Sequence, residues 1–149
     1  MKSYTPSELS RIIEDIKDKN NILQETVDKL KESRKTIKLL DFKSKDSIEQ
    51  KIKGLNGQIT CNNYAIMMLC LYEDSLRTDY SSMSEEKLIR CEMEAESGDG
   101  MSKLIVFCHK CFIEHTIVQR DIKRLEIEAE EGVLSSSYIL YAYNSYFAD

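Results

Sequence analysis

The residues best suited to chemistry form a C-x-x-C-x-x-x-H pattern, which consists of Cys108, Cys111 and His115. On an α-helix, positions i, i+3 and i+7 share one face, so these thiols and the imidazole could converge on a zinc ion. The possible sources of a fourth ligand are Cys61, Cys70 and Cys91. Small thiols along a helix seam are also ordinary core residues. This second interpretation is the one we adopt, so the sequence predicts no metal site.

Cys111 and His115 could also act as a catalytic nucleophile and its general base, because they lie one helical turn apart. A Cys–His hydrolase also needs a group that orients the base and donors for an oxyanion. The surrounding sequence contains no loop or strand–turn–helix elbow that would supply them. Gly98 and Gly100 lack the context of a phosphate-binding loop. We therefore expect no catalytic residue, no cofactor and no enzymatic activity.

Length, cysteine count and charge narrow the class of protein. A chain of 149 residues suits one helical domain, and five cysteines without framework spacing are typical of reduced thiols inside a cell. No stretch approaches the ~20 apolar residues of a membrane helix, and residues 1–10 do not resemble a signal peptide. Residues 1–54 hold 13 Lys/Arg against 10 Asp/Glu, and residues 55–149 hold 8 against 16. Since neither part is strongly basic, we expect no sequence-specific binding to nucleic acid and no membrane association.

The first helix has the clearest signals and is predicted over about residues 6–40. Thr5 and Glu8 form a capping box, and Pro6 stands at the first helical position. A heptad pattern typical of a coiled coil follows. Its two seams are Leu9, Ile16, Leu23, Leu30, Ile37 and Ile13, Asn20, Val27, Arg34. Asn20 and Arg34 disfavour a simple homodimeric zipper, so we expect this helix to pack on other helices.

The middle of the chain is predicted to contain a break, a buried helix and a short acidic helix. Residues 41–57 offer capping residues, a short helix and a closing Gly54-Leu55-Asn56-Gly57 turn. The segment of about residues 60–80 would form a helix with apolar residues on nearly all of its faces, which predicts a central helix buried by its neighbours. A capping box of Ser82 and Glu85 then begins a helix over residues 84–96.

A second long helix is predicted over about residues 101–131, after the Ser97-Gly98-Asp99-Gly100 loop. It repeats the heptad pattern and ends at Gly132. Its seams are Leu104, Cys111, Val118, Leu125 and Cys108, His115, Ile122, Ala129. The fold class is therefore all-α: a bundle of about five helices in which two long helices pack along each other and on the central helix.

The tail, residues 133–149, differs in composition from the domain at residues 1–132. It holds half of the eight tyrosines, and its predicted secondary structure is ambiguous between helix and strand. Tyrosine joins a large apolar area to one hydroxyl, which suits an interface. The predicted docking residues are Tyr138, Tyr141, Tyr143, Tyr146 and Phe147. Packing of the tail on its own domain is the alternative.

Three segments together resemble the helical domain of GINS subunits, which belong to a DNA-replication complex. Residues 9–31 look like the long first helix of that family, residues 61–77 resemble its central helix, and Met83-Ser84-Glu85-Glu86 is similar to the start of the next one. The chain departs from the family at residues 55–59, where an Arg/Asn/Lys-rich lead is absent, and no small β-domain follows Gly132. The resemblance implies a reduced subunit of a nuclear heterotetramer that supports the replicative helicase without catalysis.

The sequence thus predicts a non-catalytic subunit of a hetero-oligomeric protein assembly, GINS-like in the first instance. Two other functions stay open. One is a stand-alone bundle, for example a viral one, that binds a host protein in an apolar groove. The other is a zinc-dependent helical module. The predicted location is intracellular, in the nucleus if the GINS resemblance holds and in the cytoplasm otherwise.

Overall fold

A computed structural model describes residues 1–38, 41–77 and 83–149, and all regular structure in them is helical. The elements are α1 (Pro6–Thr36), α2 (Phe42–Ser75), α3 (Glu85–Glu96), α4 (Gly100–Cys108), a π-helical turn (His109–Ile113), α5 (Gln119–Glu130) and α6 (Leu134–Tyr146). The prediction of an all-α bundle is confirmed. Six α-helices are present in the described ranges, where the sequence predicted about five. In this described portion, no helix is long and apolar enough to cross a membrane.

Helix α1 follows its sequence signals closely. The Thr5 hydroxyl accepts a hydrogen bond from the Glu8 amide at 3.2 Å, and the Thr5 amide donates to the Glu8 carboxylate at 2.8 Å. The predicted capping box is therefore formed. All nine predicted seam residues are buried or half-buried. The helix ends at Thr36, with Ile37 in an extended conformation, and the last predicted residues, Leu39 and Leu40, lie outside the described ranges.

The seam of α1 faces α2, which runs back along it. Asn20 stands where a coiled coil would place an apolar residue, and it accepts a hydrogen bond from Asn62 and donates one to Asn63, both at 2.9 Å. A polar pair inside a seam fixes the register of two helices because any shift leaves the amides without partners. The departure at Asn20 thus specifies how α1 and α2 align.

Helix α2 corrects the break predicted over residues 41–57. The chain stays helical through Gly54 and Gly57, and the Asp41 side chain caps the helix by accepting from the Ser44 amide at 3.1 Å. A glycine inside a helix costs about 1 kcal/mol. The apolar stripe of Ile48, Ile52, Leu55 and Ile59 packs toward α1 and outweighs that local cost.

The second half of α2 is the predicted central helix; it ends at Ser75, and the described range ends at Arg77. Its face of Ala65, Met68, Leu69 and Tyr72 is buried in the main core. Helices α1, α4 and α6 and the π-helical turn pack around it. Helix α3 begins after Ser84, whose hydroxyl accepts from the Lys87 amide at 3.3 Å. The predicted cap Ser82 lies outside the described ranges.

The structure also corrects the helix predicted over residues 101–131. The chain leaves α-helical geometry at His109, and His115 adopts a left-handed conformation with φ 54°. The Thr116 amide then donates to the Lys110 carbonyl at 2.9 Å, which closes the helix end in the manner of a Schellman motif. Helix α5 starts afresh after Val118, whose amide donates to the Asp121 carboxylate at 3.0 Å. It packs on α6 and not along α1.

The tail forms helix α6 and packs on the rest of its own chain, against α2, α4 and α5. Phe147 has no exposed surface and contacts the rings of Tyr4, Tyr72 and Phe112, at centroid distances of 5.8, 5.1 and 4.9 Å. The residues before α1 reinforce this contact, because the Lys2 amide donates to the Phe147 carbonyl at 2.9 Å. The tail is thus an integral part of the core.

Candidate functional sites

The cysteines of the C-x-x-C-x-x-x-H pattern are buried in the core: Cys108 is the last residue of α4, and Cys111 lies in the π-helical turn. Burial raises the pKa of the Cys108 thiol well above its ordinary range and raises the pKa of Cys111 to about 11, although the chain's amino terminus partly offsets the effect on Cys111. Both sulfurs are therefore protonated thiols at neutral pH. A protonated thiol is a poor nucleophile.

His115 does not join these cysteines on one helix face. It is exposed beyond the π-helical turn, and its left-handed backbone ends the helix there. The geometry that the spacing predicts requires an unbroken α-helix from 108 to 115, and that helix is interrupted. Within residues 1–38, 41–77 and 83–149, no group of three or more His, Cys, Asp or Glu side chains is placed to hold a metal ion.

A serine–lysine–glutamate network that the sequence analysis missed joins three helices. Lys103 of α4 donates to the Glu128 carboxylate of α5 and, at 2.5 Å, to the hydroxyl of Ser136 in α6. Ser136 donates to Glu128 at 2.7 Å. Partial burial opposes ionisation of Glu128, but the hydrogen bonds from Lys103, Ser136 and Arg124 outweigh it and lower the pKa of this carboxyl.

The network resembles a Ser–Lys catalytic dyad in composition but not in chemistry. Lys103 donates to Glu128 as well as to Ser136, so it is held between the two side chains. Ser136 has no exposed surface, so a substrate cannot reach its hydroxyl. The three side chains thus act as a polar bridge between α4, α5 and α6. No spacing rule in the sequence indicates it, since the residues come from three separate helices.

The five residues predicted to dock a partner differ in exposure. Tyr141 is 50% exposed, whereas Tyr138, Tyr143 and Tyr146 are half-buried and Phe147 is fully buried. The ring of Tyr138 packs on Tyr64 at 5.2 Å, and that of Tyr143 packs on Phe107 at 5.6 Å. Among these five residues, Tyr141 therefore exposes the largest fraction of its side chain to solvent.

Tyr141 borders a shallow groove between α1, α2 and α6, with a volume of about 480 Å³. We call it the Ile22–Tyr141 surface. It is lined by Lys19, Ile22, Leu23, Gln58, Cys61, Asn62 and Tyr141. Ile22, which is not one of the seam residues of α1, is 63% exposed. An apolar residue on the polar face of a heptad helix is the sequence signal that would have found it.

A second concavity lies between α3 and α5 over α4, with a volume of about 620 Å³, and we call it the α3–α5 cleft. Helix α3 packs on α4, whereas α5 packs on α6, so α3 and α5 stand apart as its two walls. Val106, Phe107, Ile117 and Leu125 supply the apolar lining. Five acidic and three basic residues also line it, and two of the basic ones, Lys103 and Arg124, are bound to Glu128.

No protein-family model, no curated protein and no solved structure matches this chain.

Proposed function

We propose that this chain is a non-catalytic subunit of a protein assembly and that it binds a neighbouring subunit through the Ile22–Tyr141 surface. The observation that carries the proposal is the pairing of Ile22 with Tyr141, two large, exposed side chains from helices far apart in sequence. Exposed apolar side chains that converge beside a groove are typical of protein-binding sites. Tyrosine in particular is enriched at interfaces.

The groove best fits an amphipathic helix of the partner. Helices α1 and α2 form its walls, and an apolar side chain of the partner would lie between Ile22, Leu23 and Tyr141. Lys19 at one end is exposed and forms none of the ion pairs found among the described residues. We therefore expect the partner helix to carry an acidic residue opposite Lys19.

A GINS-type assembly is the particular form of this proposal that the sequence resemblance favours. The three segments that carry the resemblance are found in α1, in the buried half of α2 and at the start of α3. A subunit of that kind would help to hold a replicative helicase together in the nucleus. Its specific prediction is stoichiometric association with three further helical subunits.

The test is the composition of the natively purified protein. The proposal expects a fixed set of co-purifying chains with the wild type, and three replication-type chains in equal amounts would support the GINS form. Ile22→Glu should release the direct partner, because it places a charge in the apolar contact. Leu134→Glu, a change at a comparably exposed residue (65%), is the matched control and should keep the partner. A lone monomer or homodimer would contradict the proposal and favour a stand-alone bundle.

A further inference from the structure

The outer halves of α1 and α2 form a two-helix arm that projects from the body. The main core cluster contains no residue of 24–36 or 42–60. The partly buried residues that pack against this cluster also lie outside those two ranges. Val27 and Ile52 are buried all the same, in the contact between the two helices. Since a helix rises 1.5 Å per residue, 13 residues carry the end of α1 about 20 Å beyond the body.

The end of the arm is basic and carries an exposed aromatic residue. Residues 31–38 and 41–53, which we call the basic tip, hold eight Lys/Arg against four Asp/Glu, a net charge of +4. The whole chain has a net charge of −5, so the remainder carries −9. Phe42, the first residue of α2, is 72% exposed, and Lys43 and Lys45 follow it in the first helical turn. The basic tip thus joins an apolar side chain to positive charge.

The α3–α5 cleft has the opposite character. Glu92 and Glu96 on the α3 wall and Glu131 beyond the end of α5 line it, and they take part in none of the ion pairs or side-chain hydrogen bonds between described residues. Phe107 and Leu125 contribute apolar lining between these carboxylates. A cleft of this kind suits an aromatic side chain flanked by cations.

We propose that the protein assembles with itself by docking the basic tip of one copy into the α3–α5 cleft of the next. The Phe42 ring enters the apolar part of the cleft, and Lys43 and Lys45 face Glu92, Glu96 and Glu131 of the receiving copy. The arm supplies the reach, because it holds the tip clear of its own body. This contact uses neither Ile22 nor Tyr141, so it is independent of the partner-binding surface.

The contact is heterologous, since the tip and the cleft are different surfaces of one chain. Each docked copy leaves one free tip and one free cleft, so association continues unless the rotation closes a ring. The average mass therefore rises progressively with protein concentration and does not stop at a dimer. Salt weakens the association, because exposed charges are screened within about 8 Å at physiological ionic strength.

The test combines two charge reversals, with sedimentation equilibrium of the purified, reduced full chain as the readout. Lys43→Glu/Lys45→Glu reverses the tip, and Glu92→Lys/Glu96→Lys reverses the cleft. Each variant alone places like charges in the contact and should weaken self-association about tenfold or more. An equimolar mixture of the two should assemble again, because the reversed tip fits the reversed cleft and the unchanged tip fits the unchanged cleft. Phe42→Ala should weaken association without changing the net charge.

Two controls separate this contact from other effects. Lys17→Glu/Lys123→Glu makes the same change in net charge as Lys43→Glu/Lys45→Glu, at exposed positions outside the tip and the cleft, and it should leave association unchanged. Ile22→Glu should also leave it unchanged, which distinguishes self-assembly from the proposed partner surface. The proposal is overturned if the wild type stays monomeric at every concentration at low ionic strength. It is equally overturned if the mixture of reversed variants stays monomeric while the wild type associates.

Discussion

Gly100 is a residue at which the fold allows no side chain. A Cβ atom there would lie 2.9 Å from the Cβ of Ser135 and would collide with the Tyr64 hydroxyl, so α4 approaches α2 and α6 at this point only because glycine has no side chain. Gly100→Ala should destabilise the protein by about 1–3 kcal/mol, the usual cost of overpacking. Chemical denaturation measures the change in the free energy of unfolding.

Gly54→Ala is the matched control. Gly54 lies inside α2 with open space around its position, so alanine there should stabilise the protein by about 0.5–1 kcal/mol through its higher helix propensity. Opposite signs for the two glycine substitutions are the expected result. Equal effects at the two positions would contradict the close approach at Gly100.

Cys111 should make stability depend on alkaline pH. Burial raises its pKa to about 11 from the ordinary 9.0, so between these values the unfolded chain loses a proton that the folded chain keeps. Stability contributed by Cys111 is therefore complete below pH 9 and is lost as the pH rises toward 11. The free energy of unfolding, measured under reducing conditions across this range, should fall less steeply in Cys111→Ala than in the wild type. Parallel curves would show that Cys111 ionises equally in both states.

The polar bridge of Lys103, Glu128 and Ser136 links three helices, α4, α5 and α6. Removing the carboxylate leaves Lys103 with Ser136 alone as its acceptor and leaves the buried Ser136 hydroxyl without an acceptor for its proton. Glu128→Ala should therefore cost about 1–3 kcal/mol near neutral pH. Because the pKa of Glu128 is lowered in the folded state, this difference should shrink as the pH falls through that pKa.

Glu126→Ala is the control for Glu128→Ala. It removes an exposed carboxylate from the same helix, and such surface changes usually stay within about 0.5 kcal/mol. Chemical denaturation of both variants at neutral and acidic pH measures the two changes in the free energy of unfolding. If Glu128→Ala and Glu126→Ala unfold alike at neutral pH, the bridge does not stabilise the packing of α4, α5 and α6.

The elements differ in how far local sequence determines them. The start of helix α1 could be predicted to the residue because its cap, proline and heptad seam all agree, although the helix ends at Thr36, before the predicted end at about residue 40. Helix α2 could not, since Gly54 and Gly57 are local helix breakers and only packing against α1 keeps the chain helical there. The division of residues 101–131 into α4, the π-helical turn and α5 could not be predicted either, because the sequence lacks the usual signal for a helix end. His115 ends the helix in a left-handed conformation that the sequence would ordinarily signal with glycine.

The same limit applies to the candidate sites. Tyr141 is exposed, whereas Phe147, in the same aromatic run of the tail, is buried in the core. Composition does not distinguish an aromatic residue that faces a partner from one that faces its own domain. Ile22 and the α3–α5 cleft depend on which helices become neighbours, and that is a property of the packed chain.

At the scale of the whole molecule, the core depends on contacts between the two ends of the chain. Phe147 lies among Tyr4, Tyr72 and Phe112, so its ring joins α6 to α2 and to the segment before α1. Phe147→Ala should cost about 3–5 kcal/mol. Tyr141→Ala, at an exposed position six residues earlier, should change the free energy of unfolding by no more than about 0.5 kcal/mol. Denaturation curves of comparable midpoint for the two variants would contradict this division of the tail.

The most direct test of the central claim, that the chain docks a protein partner at the Ile22–Tyr141 surface, is site-specific photo-crosslinking in the native assembly. A benzophenone-bearing amino acid replaces Tyr141 in one variant and Leu134 in the control. We predict that position 141 crosslinks to a single partner chain, that position 134 does not, and that Ile22→Glu abolishes the crosslink. No crosslink to another chain from position 141, or one that persists in the Ile22→Glu background, would contradict the account.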